Sequence, residues 1–250
     1  MERKEVDEED DDVVCLDRSF FIDDNYQLTT FEFGSQVIEL YCLHSASTDF
    51  DLTGQLVWPG AMLLNDYLSK NAETLKGCSV IELGSGVGIT GILCRRFCAK
   101  VVMTDHNDEV LKILKKNIEL HASAEDSPCF AELYAQKLEW GDSDQINGVV
   151  RKYPEGFDLI LGADIYILFY NRLFFQQSSI PPLFETVRQL LQMRGKIDCK
   201  FILGYVSRAK MMDTMVIAEA GKHGMLIEEV AGTRTMLGYL EGIIFEISMR

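Results

Sequence analysis

The sequence predicts an α/β fold built on a seven-stranded, mainly parallel sheet with helices on both faces and an antiparallel pair at one edge. Three observations predict it. Short apolar runs alternate with segments of helical periodicity from residue 78 onward, the first run ends in a glycine-rich turn, and the last two runs have no long helix between them. Strand-helix alternation of this kind winds right-handed and covers both faces of the sheet, which gives a Rossmann-like architecture.

The elements follow in order. Phe20 to Ile22, then Phe31 and Phe33, then Val37, Ile38, Leu40 and Tyr41 are apolar groups, and Gly34-Ser35 separates the last two. They predict an amino-terminal hairpin. Trp58-Pro59-Gly60 opens a helix carrying Ala61, Leu63, Leu64, Tyr67 and Leu68 at helical spacing. Cys78 to Leu83 is a run suited to a strand buried on both faces. A helix over 89–97, a strand over 100–104, a helix over 107–121 and strands over 131–137 and 157–162 come next. A helix over 182–193, a strand over 200–205, a helix over 211–223 and strands over 225–230 and 242–247 complete the chain. Residues 143–156 and 170–181 are expected to be the long loops. The expected organisation is an acidic disordered tail over 1–18 and a single domain over 19–250 with the hairpin as its extension.

At 250 residues, with 47% hydrophobic and 25% charged residues, the chain is long and apolar enough to bury its own core. The formal net charge is −15 and no Lys/Arg-rich run occurs, which makes nucleic acid a poor partner and a basic protein or peptide a favourable one. No run of ~18 apolar residues is present to span a bilayer. The amino end is mostly Glu and Asp, unlike a secretory signal. Seven cysteines without a C-x-x-C pair read as buried thiols of a reducing compartment, giving an expected cytoplasmic address, with the nucleus as a second. Cys94 and Cys98, four apart on a helix, lack partners for a metal site, so none is expected.

The chemistry concentrates in Val80-Ile81-Glu82-Leu83-Gly84-Ser85-Gly86-Val87-Gly88. Glycines there let a ligand approach the backbone, at the carboxyl end of a parallel strand where α/β sheets bind ligands. A dinucleotide string, Gly86-Val87-Gly88-Ile89-Thr90-Gly91, is also present, but it starts late after the strand; counted from Gly84 it fails at Ile89. The fuller match is E-x-G-x-G-x-G. Asp105 closes the second parallel strand about twenty residues on, where an acid can accept both hydroxyls of a ribose or, alternatively, cap the next helix.

With these residues, and with Val57-Trp58-Pro59-Gly60-Ala61, Leu138-Glu139-Trp140-Gly141 and the segment from Phe157 to Asp164, the chain resembles the seven-strand S-adenosylmethionine-dependent methyltransferases. Within that class it is similar to the methyltransferase-like 21 type protein-lysine methyltransferases. The resemblance implies S-adenosyl-L-methionine as cofactor and a lysine of a protein as acceptor. It places Trp58, Glu82, Gly84, Ser85, Gly86, Asp105, Trp140 and Ala163 around the cofactor: Asp105 on the ribose, Trp140 beside the adenine, and Glu82 acting indirectly on the methionine portion. An aromatic face suits a purine, and a sulfonium prefers acidic or aromatic surroundings.

Lysine-directed members show Asp-x-x-Tyr after the fourth strand. This chain reads Asp164-Ile165-Tyr166-Ile167, with the tyrosine one residue early. Asp164 and Tyr166 are the catalytic candidates, and the shifted tyrosine motivates the alternative of a methyltransferase-fold binding or assembly factor with weak or no turnover. A nicotinamide-dependent oxidoreductase is disfavoured by the late glycine string and by the want of a Tyr-x-x-x-Lys or histidine relay.

Overall fold

A computed structural model describes residues 25–45, 53–124, 130–165, 173–193 and 198–250. The hairpin forms first: β1 (Gln27–Phe33) pairs antiparallel with β2 (Gln36–Cys42) across the turn at Gly34-Ser35. Its inward residues Phe33, Ile38 and Leu40 are buried. The buried Asn117 amide ties this extension to the domain, accepting from the Tyr41 amide at 2.8 Å and donating to the carbonyls of Tyr41 and Val87.

Next come α1 (Pro59–Lys70), β3 (Ser79–Leu83), α2 (Ile89–Cys94), β4 (Lys100–Asp105), α3 (Asp108–Ala124), β5 (Glu132–Lys137), α4 (Ser143–Lys152) and β6 (Leu159–Ala163). They are followed by α5 (Leu173–Leu191), β7 (Lys200–Ser207), α6 (Lys210–Lys222), β8 (Met225–Glu229), β9 (Thr235–Leu237) and β10 (Leu240–Met249). The main sheet runs β5-β4-β3-β6-β7-β10-β8, with the short β9 added beside β10. Strands β3 to β7 are mutually parallel, and β10 is antiparallel to β7, β8 and β9. The order turns back between β3 and β4 on one side and β6 on the other, which sets the ends of β3, β4 and β6 side by side.

Strand side chains alternate between two apolar layers. Ile81, Leu83, Ile160, Phe201 and Leu203 join the layer that includes Ile146, Phe184 and Val216 of α4, α5 and α6. Val80, Val101, Met103, Leu161 and Ile202 join the layer that includes Leu64, Ile92 and Leu114 of α1, α2 and α3. That alternation puts Glu82, between Ile81 and Leu83, into the second layer.

Two expected loops are corrected. Residues 143–152 form α4, despite Gly148 and two β-branched valines, because Asp142 caps it: its carboxylate accepts the amides of Asp144 and Gln145, both at 3.0 Å. Ile146 and Val149, three apart, then bury one face. Replacing Asp142 with alanine is expected to destabilise the chain by about 1 kcal/mol in urea unfolding. Residues 173–181 belong to α5, which runs through Pro181 and Pro182 rather than starting at the second proline. The final strands form the expected antiparallel pair at the sheet edge, β10 with β8, with β10 lying between β7 and β8. The expected acidic tail over 1–18 lies outside the described residues. Among the described residues no helix is long and apolar enough to cross a membrane.

Candidate active site

The turn after β3 is held from below. Ser85 donates its amide to the Thr104 carbonyl at 2.8 Å, while its hydroxyl accepts the Thr104 amide at 3.0 Å. Ser85 is therefore turned into the sheet and fixes β3 to β4, with Gly84 half-buried and Gly86 buried on the other side of the bend. Both take left-handed torsions, with φ of 66° and 54°. A Cβ on Gly84 would lie 3.1 Å from Ile165 and 3.3 Å from the Trp140 indole. A Cβ on Gly86 would lie 2.7 Å from the Gly54 carbonyl oxygen. Thus the ends of β3, β5 and β6 converge on the turn, and a strap at Thr53-Gly54 crosses it. Trp58 secures the strap, donating its indole N–H to the Thr53 carbonyl at 2.9 Å.

Glu82 lies beneath the turn and is buried, accepting the Gly91 amide at 3.1 Å. It braces the start of α2. Burial pushes its carboxyl up to about 7, with the Asp105 charge adding to the rise and hydrogen bonds, including the Gly91 amide, opposing it. In the unfolded chain the same group titrates near 4.5. Between those values the folded chain binds more protons than the unfolded one, so this group's contribution to stability falls as pH rises from about 4.5 to 7 and is level above. Glu82→Gln keeps the acceptor and removes the titration. Relative to wild type, the variant is expected to gain up to about 3 kcal/mol between pH 5 and pH 8 in denaturant melts.

Asp105 closes β4 and is buried. Its Oδ2 accepts the Gly86 amide at 3.2 Å and its Oδ1 the Asn107 amide at 3.0 Å. Helix α3 is capped by Asn107, whose side-chain oxygen accepts the Glu109 amide at 2.9 Å. The helix thus takes its cap from Asn107, and Asp105 faces the glycine turn.

Asp164 stands at the end of β6 in a left-handed conformation, φ 52°. Its Oδ2 accepts the Gly60 amide at 2.7 Å, supplying from 104 residues away the cap that α1 lacks at Trp58. Its Oδ1 accepts a hydrogen bond from Arg208, at the end of β7. Ala163, one residue earlier, is half-buried against Gly204 of β7. The structure therefore gathers Gly84, Gly86, Asp105 and Trp140 at one turn, puts Glu82 and Ser85 beneath it, and sets Asp164 on the same rim. Tyr166 lies outside the described residues, as does Tyr170. Gly54, Gly60, Ile165 and Arg208 were not foreseen. The available signal for Arg208 was a cation just past the end of an apolar strand, the mirror of the signal that picks out Asp164.

The sequence profile of the lysine methyltransferase family matches residues 43–217, well over half of the chain. The chain belongs to the lysine methyltransferase family. Among curated relatives of this family member, the protein N-lysine methyltransferase METTL21A of Mus musculus is 34% identical over 143 residues, 56% of this chain and 59% of that protein. The protein-lysine N-methyltransferase EFM3 of Chaetomium thermophilum is 26% identical over 209 residues, 81% of this chain and 57% of that protein. The alignments therefore span somewhat more than half the length of these relatives. Among solved structures, the 16S rRNA N2 G1207 methyltransferase RsmC of T. thermophilus aligns with 90% of this chain and 51% of its own, at TM-score 0.56 and 17% identity. That likeness establishes a shared methyltransferase fold. Among the described residues of this family member, no group of three or more His, Cys, Asp or Glu side chains is arranged to hold a metal ion, and no disulfide joins the described cysteines.

Proposed function

We propose that this chain is an S-adenosyl-L-methionine-dependent methyltransferase that modifies a lysine side chain of a protein. The observation that carries the reading is the convergence of Gly84, Gly86, Asp105 and the Trp140 indole at one turn in a chain of this family. The residues suit a nucleoside. Two left-handed glycines open the backbone, an acid at the β4 end offers oxygens to ribose hydroxyls, and an indole offers a face to a purine. The names of the curated relatives support a lysine acceptor, and the complex of the rRNA enzyme with AdoMet supports the cofactor.

When bound, S-adenosylmethionine supplies a methyl group activated by its positive sulfur. The chain's own work is alignment. Asp105 and the turn hold the nucleoside end, Trp58 keeps the strap over the turn, and Glu82 and Ser85 keep the turn rigid from below. Asp164 is the acid at the end of β6 on the same rim, paired with Arg208, and Tyr166 follows it in sequence. The acceptor amine has to be neutral to attack, so a carboxylate there would orient it and stabilise the positive charge that develops on the nitrogen. A net charge of −15 favours a basic protein segment as the acceptor's surroundings. We place the protein in the cytosol or nucleus, a reducing compartment that suits seven scattered cysteines without a C-x-x-C pair.

One observation favours the second reading, a fold-retaining binding or assembly factor: both Asp164 oxygens are engaged, by Gly60 and Arg208. Incubation with methyl-labelled S-adenosylmethionine and a cell lysate, followed by mass spectrometry, separates the two. Enzyme activity predicts methyl-lysine on a discrete protein, lost in Asp105→Ala. Cofactor binding with no labelled product would support the binding factor.

A further inference from the structure

The pair formed by Asp164 and Arg208 is buried, with side chains 1% and 12% exposed. Three features make the carboxylate its fixed partner. The Asp164 backbone is left-handed, a conformation uncommon for residues with a Cβ, although Asp tolerates it better than most. Its Oδ2 is held by the Gly60 amide at the start of α1. Its side chain also packs so closely on Gly60 that a Cβ there would approach the Asp164 Cβ and Cγ to 2.9 Å.

Arg208 is the long, flexible partner. It comes from the turn between β7 and α6, and the same Nη1 that bonds Asp164 also donates to the Val206 carbonyl at 3.3 Å. The nearby acid, Asp213 of α6, is committed elsewhere: its oxygens accept the hydroxyls of Tyr205 at 2.6 Å and Ser207 at 2.9 Å. Tyr205 feels the charges of both Arg208 and Asp164, which places all four groups in one cluster. A buried carboxylate stripped of its cation is an uncompensated charge, and such a site draws in any cation that fits.

We propose that Arg208 is the internal occupant of a primary-ammonium site whose fixed wall is Asp164, and that an alkylammonium group resembling the end of a lysine side chain binds there once the guanidinium is gone. The natural ligand, an acceptor lysine, rests on the reading above; the site itself does not. On this account an incoming lysine displaces Arg208, and the guanidinium sets a threshold that only a well-docked acceptor overcomes.

The test is thermal unfolding of the full chain with n-butylammonium chloride, against sodium chloride at equal ionic strength. In Arg208→Ala the amine is expected to raise the midpoint by several degrees, saturably, as a ligand of the folded state does. Wild type, whose site is filled, and the double variant Arg208→Ala/Asp164→Asn, whose wall is neutral, are expected to show no such rise. Arg208→Lys, carrying its own primary ammonium, is expected to melt close to wild type and to ignore the amine. A folded Arg208→Ala that does not respond, or a double variant that responds equally, overturns the proposal. Should Arg208→Ala not fold, Arg208→Lys decides: melting close to wild type supports the site, and melting far below it overturns it. Amine binding without lysine methylation in the lysate experiment would retain the cation site and remove the enzymatic reading. Methylation without amine binding would do the reverse.

Discussion

Replacing Asp105 with alanine is expected to weaken S-adenosylmethionine binding by about a hundredfold in calorimetry. Hydrogen bonds to a charged group are worth about 1.5–3 kcal/mol each, and about 1.4 kcal/mol is a factor of ten in affinity. An acid closing β4 beside the turn can accept two ribose hydroxyls, so the loss of one strong bond or two ordinary ones gives that factor. Asn107 caps α3, so the alanine variant keeps that cap while losing the acceptor of the Gly86 and Asn107 amides and the carboxylate beside the His106 ring, and a urea melt checks that it is folded before affinity is read. Asp105→Asn, which keeps one acceptor and loses the charge, should fall between. Unchanged affinity in the alanine variant would remove Asp105 from the site.

Gly86→Ala is expected to destabilise the chain by about 2–4 kcal/mol and to abolish cofactor binding. The left-handed torsion alone accounts for about 1–2 kcal/mol in a residue with a Cβ. The remainder arises because the new methyl would sit 2.7 Å from a backbone oxygen, that of Gly54, in a strap whose Thr53 carbonyl is already held by Trp58. A flexible side chain could move aside, whereas the strap has to shift as a unit. Gly148→Ala is the matched control: nothing lies within 4 Å of its Cβ position and it sits inside α4, so a gain of about 0.5–1 kcal/mol is expected. Urea unfolding of the two variants reads both signs, and a Gly86→Ala protein as stable as wild type would contradict the geometry of the turn.

The parallel strands and the site that they end in were largely legible in the sequence. Strands β3, β4, β6 and β7 are buried on both faces, so each appears as a continuous apolar run, and the glycines and acids at their ends mark the sheet's ligand rim. Helix α4 was not legible, because Gly148, Val149 and Val150 favour other conformations and the cap at Asp142 outweighs them only once Ile146 and Val149 have a layer to enter. The path of α5 through Pro181 and Pro182 contradicts local propensity in the same way. The contacts around Asp164 are a different case. Gly60 is 104 residues away and Arg208 is 44 away, so no local pattern reports that one carboxylate caps α1 and pairs with a cation. For Asp105 the sequence offers both a capping and a ribose role, and the structure shows Asn107 as the residue that caps α3.

A crystal structure of the chain with S-adenosylmethionine bound would show whether the cofactor lies on the turn after β3. The ribose hydroxyls are expected on the Asp105 carboxylate, the adenine along the Trp140 indole and the charged sulfur above Gly84 to Gly86. Cofactor density elsewhere, or a turn still closed by the Gly54 strap and the Trp140 side chain at saturating cofactor, would contradict that placement.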